Sequence, residues 1–355
     1  MKLFSMTPCA ALAATLLFAS CESNDEKLPA DDADGFRYSA GAFVVNYGDG
    51  TNGSTLSHID WATGEVTNNL FRSANLEAMG SGVNGAVRHG SKLYMALSES
   101  GKIEVTNLHG VRLAKVELRD DAGRPLVPRY LAAYAGHVYF SAYGGLVGRI
   151  DTASLALDTK TVTVGDYPEA ITVASDKLFV NNSLYMGQNV NDAGTTVSVI
   201  DLASFERIHD IEVAPNPYNQ AVTGADGNVY IVSQENWYGP HTLQRINPST
   251  YAVETLGEAT VIAPSTDGLY AYYSIWGGDT WLKKYNFATD SMTDLPEVDA
   301  TQFVYVQAMS VDASTGTLYV ADAPTKEPGR IVAVTADGRL GASYSVGYSP
   351  IAVRF

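Results

Sequence analysis

Cysteine is almost absent from the 355 residues: Cys9 and Cys21 are the only two, too few for a disulfide framework. Positive charge is also scarce. Lys and Arg number 23 against 39 Asp and Glu, and the net charge of -16 repels polyphosphate and anionic lipid, which argues against a nucleic-acid partner. Charged residues of all kinds make up 17% against 46% hydrophobic, so the bulk is neither disordered nor coiled coil. The six histidines, His58, His89, His109, His137, His209 and His241, are scattered without metal-ligand spacing. Catalytic signatures are missing too: there is no GxSxG, phosphate-binding GxxxxGK(S/T), HExxH or CxxC. Asp49–Gly53 lacks the alternating acids and terminal Glu of a calcium loop and reads as a tight hairpin. These absences lead us to expect no enzyme, no metal site and no cofactor. What the chain does have is 32 Gly and 21 Tyr, the composition of a turn-rich, aromatic β protein.

Residues 1–20 read as a signal peptide. Lys2 supplies the positive start, Ala10–Phe18 are apolar but too short to span a bilayer, and Ala19-Ser20 precede Cys21. Leu17-Phe18-Ala19-Ser20-Cys21 resembles a lipobox, which implies that Cys21 is acylated, becomes the new N-terminus and is the only membrane contact. Residues 21–37 are acidic and polar without an apolar run, as expected of a flexible tether. Glu22–Lys27 resembles the export signal that sends lipoproteins of Bacteroidota to the outer face of the outer membrane; a linker facing the periplasm is the alternative.

Residues 38–355 are expected to form an all-β, seven-bladed propeller of four-stranded blades. A short alternating segment ending in Asp, Asn or Thr recurs seven times, ending at Asp60, Asn107, Asp151, Asp201, Asn247, Asn286 and Thr335. The spacing averages about 46 residues, the period of propeller blades. Upstream of each lies a β-rich run with an aromatic: Phe43, Tyr94, Tyr139, Phe179, Tyr230, Tyr270 and Tyr319. The last six of these rings are expected in the core. A third repeat comes before the second, at Gly85-Ala86-Val87, Leu131-Ala132-Ala133, Glu169-Ala170-Ile171, Gln220-Ala221-Val222, Gln307-Ala308-Met309 and Ile351-Ala352-Val353. The first blade has no such copy at its own start and the chain ends on a spare one. The C-terminal strand is therefore expected to join the first blade and close the ring.

In this geometry the inner strands begin, and the second-to-third-strand loops emerge, on one face. Those loops are the long ones, and they are rich in aromatics and glycine. Candidate ligand contacts are Tyr47, Tyr143, Tyr185, Trp237, Tyr238 and Trp276 in the loops, with Tyr130, Tyr167, Tyr218, Tyr305 and Tyr348 at the connections into the inner strands. Rigid aromatic faces on such turns suit a large, partly apolar ligand. Tyr130, Tyr167, Tyr218 and Tyr305 either meet that ligand or cover the inner strands. Among the axis-facing residues Gly85, Leu131, Glu169, Gln220, Gln307 and Ile351, the polar members, Gln220 and Gln307 included, either line the channel mouth or hydrate it.

The run Phe43–Gly48 with Asn52–Ser57, Thr63–Asn68, Gly90–Tyr94 and Lys102–Val105 resembles the YncE-like propellers of Bacteroidota surface lipoproteins over nearly the whole mature chain. Within that group the BtuG-type proteins capture cobalamin and related corrinoids and pass them to a TonB-dependent outer-membrane transporter of the BtuB type. The resemblance implies such a function, with haem or iron-siderophore capture, or a protein-interaction scaffold, as alternatives. It assigns no individual contact residue.

Overall fold

The computed structural model describes residues 41–183, 194–235, 239–275, 278–295 and 297–355. The expected signal, the tether and Cys21 lie outside the described residues. Seven four-stranded antiparallel sheets stand around an axis, and blade 1 takes its inner strand, Pro350–Arg354, from the C-terminus. That strand pairs with β1 (Gly41–Asn46), which pairs in turn with β2 (Thr55–Asp60) and β3 (Val66–Thr67). A six-residue helix, α1 (Leu70–Asn75), leads to blade 2, formed by β4 (Val83–His89), β5 (Lys92–Leu97), β6 (Lys102–Asn107) and β7 (Arg112–Glu117).

Blade 2 shows why the sequence folds this way. Its middle strands lie between two neighbouring blades and are buried on both faces: β5 carries the apolar run Leu93–Leu97, while β6 alternates Ile103 and Val105 with buried Lys102, Glu104 and Thr106, the first two of which pair with each other. The outer β7 meets solvent and alternates half-buried with exposed residues. Seven hydrophobic clusters fill the seven seams between blades; Phe43, Val45 and Leu56 of blade 1, for example, pack against Ala86, Leu93 and Met95 of blade 2. The expected core aromatics Tyr94, Tyr139, Phe179, Tyr230, Tyr270 and Tyr319 are all buried.

In six blades the recurring Asp or Asn at the end of the third strand caps the turn that follows. Asp60 accepts from the Ala62 and Thr63 N–H groups, Asp151 from Ala153 and Ser154, and Asn286 from Ala288 and Thr289. The inner strand of blade 6, Val261–Pro264, has no counterpart in the third sequence repeat. It is short and pairs regularly.

Six inner strands carry a register shift near the end at which they begin, on what we call the upper face. Several also start on proline, at Pro128, Pro168, Pro217 and Pro350, a position where no ladder N–H is needed. This corrects the alignment drawn from sequence. After the shift Leu131, Ile171 and Ala221 are equivalent, pairing with Phe140, Val180 and Ile231. Glu169 sits two residues earlier, within the bulge, in the column of Arg129 and Tyr218. The extra bulge residues broke the spacing on which the sequence alignment relied.

Candidate ligand-binding site

The bulges re-aim side chains at the upper mouth of the axis. Arg129 of blade 3 forms a bidentate pair with Glu169 of blade 4, both bonds 3.0 Å. The Glu169 side chain is fully buried. Its carboxylate also accepts from the Tyr143 hydroxyl, and its backbone carbonyl from Ser141 at 2.7 Å. The Arg129 guanidinium lies over the Tyr143 ring, 4.7 Å from its centroid, and Tyr167 meets Tyr143 edge to face at 5.3 Å. Burial alone depresses the Arg129 pKa, but the Glu169 carboxylate more than offsets this and the net direction is upward. Burial pushes the Glu169 carboxyl up, against the pull of Arg129. Because arginine keeps its proton and grips both carboxylate oxygens, the pair is ionised and electrically closed.

Tyrosines surround this pair. Burial, followed by the Glu169 charge, holds the hydroxyls of Tyr130, Tyr143 and Tyr218 well above the usual phenol range, so all three remain neutral. Tyr305 lies within electrostatic reach of Tyr218, and Arg129 within reach of Tyr47. Tyr305 is 53% exposed. The buried carboxylate of Asp322 fixes its backbone, accepting from the Val304 and Tyr305 N–H groups at 2.9 Å. Tyr47 is exposed and donates to Glu99 at 2.7 Å.

Of the expected contacts, the structure gathers Tyr130, Tyr143, Tyr167 and Tyr218 about one ion pair, with Tyr47 and Tyr305 on the same face. Tyr348 is not among the residues placed around that pair and lines a cavity at blade 1. Gln220 Oε1 accepts from the Ile262 N–H at 3.1 Å and so bridges blades 5 and 6, while Gln307 is half-buried at the register shift of blade 7. Tyr185, Trp237, Tyr238 and Trp276 lie outside the described residues. Sequence reasoning missed Arg129 altogether, although the residue after the inner-strand proline in blades 3, 4 and 5, Arg129, Glu169 or Tyr218, was the signal that could have found it. Among the described residues no group of three His, Cys, Asp or Glu could hold a metal ion. The arrangement offers neutral O–H donors and ring faces beside a charge-neutral pair, which suits binding through stacking and hydrogen bonds.

No protein-family model matches the chain, and no curated protein does either. Solved structures do. A quinonprotein alcohol dehydrogenase-like protein from Bacteroides thetaiotaomicron is 16% identical, with a TM-score of 0.65 over 90% of this chain and 78% of that one. Kuenenia stuttgartiensis hydrazine synthase gives 13% identity and a TM-score of 0.58 over 78% of this chain and 91% of its own. Apo AztD from Citrobacter koseri is 11% identical, with a TM-score of 0.53 over 88% of this chain and 96% of that one. At such identities the likeness is one of architecture, and it places the chain among the seven-bladed β-propellers.

Proposed function

We propose that the chain is a non-catalytic capture protein that binds a large nutrient at the upper mouth of its propeller. The proposed ligand is a corrinoid such as cobalamin, passed on to a TonB-dependent outer-membrane transporter of the BtuB type. In this reading lipid on Cys21 anchors the protein in the outer membrane, facing the exterior, and raises the ligand concentration beside the transporter. One observation carries the proposal: rings and hydroxyls from blades 3, 4 and 5 converge on a neutralised Arg129–Glu169 pair. A broad, amide-bearing, partly apolar ligand meets both needs there, stacking on tyrosine rings and accepting hydrogen bonds from the Tyr130 and Tyr218 hydroxyls, since Tyr143 gives its proton to Glu169. Val304, 67% exposed, and Tyr305 form a rigidly held apolar step on the same face, which suits docking against a partner protein.

The test is an equilibrium titration of the full chain with cyanocobalamin. Micromolar or tighter binding is expected, weakened about tenfold or more by Tyr143→Leu and by Tyr305→Ala, each tenfold step being about 1.4 kcal/mol. Binding of haem or a ferric siderophore in place of cobalamin would overturn the corrinoid assignment. Failure to bind any of them, with co-purification of a transporter retained, would leave a surface scaffold.

A further inference from the structure

We propose that a second cavity, on the outer half of blade 1, is a saccharide-binding site independent of the axial one. It opens where the blade is incomplete. β3 pairs only with His58 and Ile59, so Thr55–Ser57 of β2 have no outer neighbour in the sheet. The chain turns away at Asn69, in the left-handed region with φ 57°, and α1 folds across the gap with Leu70 and Phe71 buried beneath it. What remains is a cavity of about 470 Å³, within the roughly 300–1,000 Å³ of small-molecule sites.

The lining divides cleanly by chemistry. Leu56, Phe71 and Met79, each at most 1% exposed, close the cavity from beneath, and exposed Ala78 and Pro328 with half-buried Tyr348 supply its accessible apolar surface. Exposed Asp49, Asn52, Asn69 and Arg72 stand around it. Arg72 makes no ion pair among the described residues. One acid and one base leave these polar groups without net charge, which favours a neutral ligand over an anion or a cation. Amides, a carboxylate and a guanidinium together present adjacent donors and acceptors, the pattern that neighbouring hydroxyls of a sugar require. The accessible apolar surface of Ala78, Pro328 and Tyr348 matches the C–H face of a pyranose ring. Asp49 is pre-set: its carboxylate accepts from the Thr51 and Asn52 N–H groups and from Asn52 Nδ2, each at 2.8 Å, so little ordering is left for the ligand to impose. Of the residues in the axial cluster, Arg129, Glu169, Tyr143 and Tyr218, none lines this cavity.

The experiment is saturation-transfer NMR of the full chain with methyl pyranosides and simple disaccharides at millimolar concentration, beside an immobilised glycan array. Transfer to at least one free sugar, or retention of the chain by glycans ending in one sugar type, is expected. The first outcome assigns free saccharide and the second the end of a longer glycan. Ala78→Trp, which fills the cavity from an exposed position, should abolish the signal, and Arg72→Met should weaken it about tenfold. Circular dichroism and the cyanocobalamin titration should be unchanged in both variants. No transfer and no array retention, or a signal undiminished in both variants, would overturn the proposal while leaving the axial site untouched.

Discussion

Arg129 and Glu169 exchange charge for charge in a nearly dry setting, so removing either partner alone is costly. Arg129→Met leaves a buried carboxylate without its counterion, and about 3–5 kcal/mol of stability should be lost. Adding Glu169→Gln should restore much of it. Urea unfolding of the two single variants and the double variant reads the coupling directly, and additive losses would show that the pair is not a unit. His58 sets a pH dependence. It is 1% exposed and packs on Phe43 at 4.9 Å; burial holds its pKa down at about 4 against an ordinary 6.5, with Asp60 pulling it up and Arg88 pulling it down. The unfolded chain therefore takes the proton first. Stability should fall as pH drops from 6.5 towards 4, by up to about 3 kcal/mol, and no further from this group below 4. The His58→Gln variant should lose that slope; an unaltered slope in urea midpoints would assign it elsewhere.

Strand register governs the element scale. A bulge admits two residues where the partner strand has one, and at the upper ends of the inner strands this brings Arg129 and Glu169 to the axis mouth. Packing between strands is equally exacting at Gly148, where a Cβ would lie 2.3 Å from the Phe140 ring. Gly148→Ala forces that buried ring to move, and about 1–3 kcal/mol should be lost, read as a lowered Tm; an unchanged Tm would mean that the seam between blades 2 and 3 gives way freely. The capped turns after Asp60, Asp151 and Asn286 were legible as a recurring terminal Asp or Asn, because the side chain bonds its own neighbouring backbone. The bulges were not, because nothing local distinguishes an extra strand residue from a longer connection.

Closure is a property of the whole molecule. Pro350–Arg354 pairs with β1, and its Ala352 and Val353 enter the seams on either side of blade 1. Deleting Ser349–Phe355 exposes an edge of β1 and opens both seams at once, so cooperative thermal unfolding should be lost rather than shifted by a few degrees. Calorimetry and size-exclusion chromatography check this, and a single sharp transition in the truncated chain would show that six complete blades suffice. The spare strand at the end of the sequence was enough to anticipate this closure. Neither α1 nor the cavity beside it was anticipated, since both arise from where β3 stops, and Val66-Thr67 reads no differently from longer outer strands.

By itself the sequence determined the number of blades, their middle strands, the buried aromatics and the closing strand. Each is written as a repeated local pattern, and periodic burial follows from periodic hydrophobicity. Only the tertiary structure decided which residues meet at the axis mouth. Arg129 and Glu169 stand forty positions apart on different blades and are joined by bulges whose register depends on neighbouring strands. Tyr348, alike in sequence context to the gathered tyrosines, lines another cavity, at blade 1.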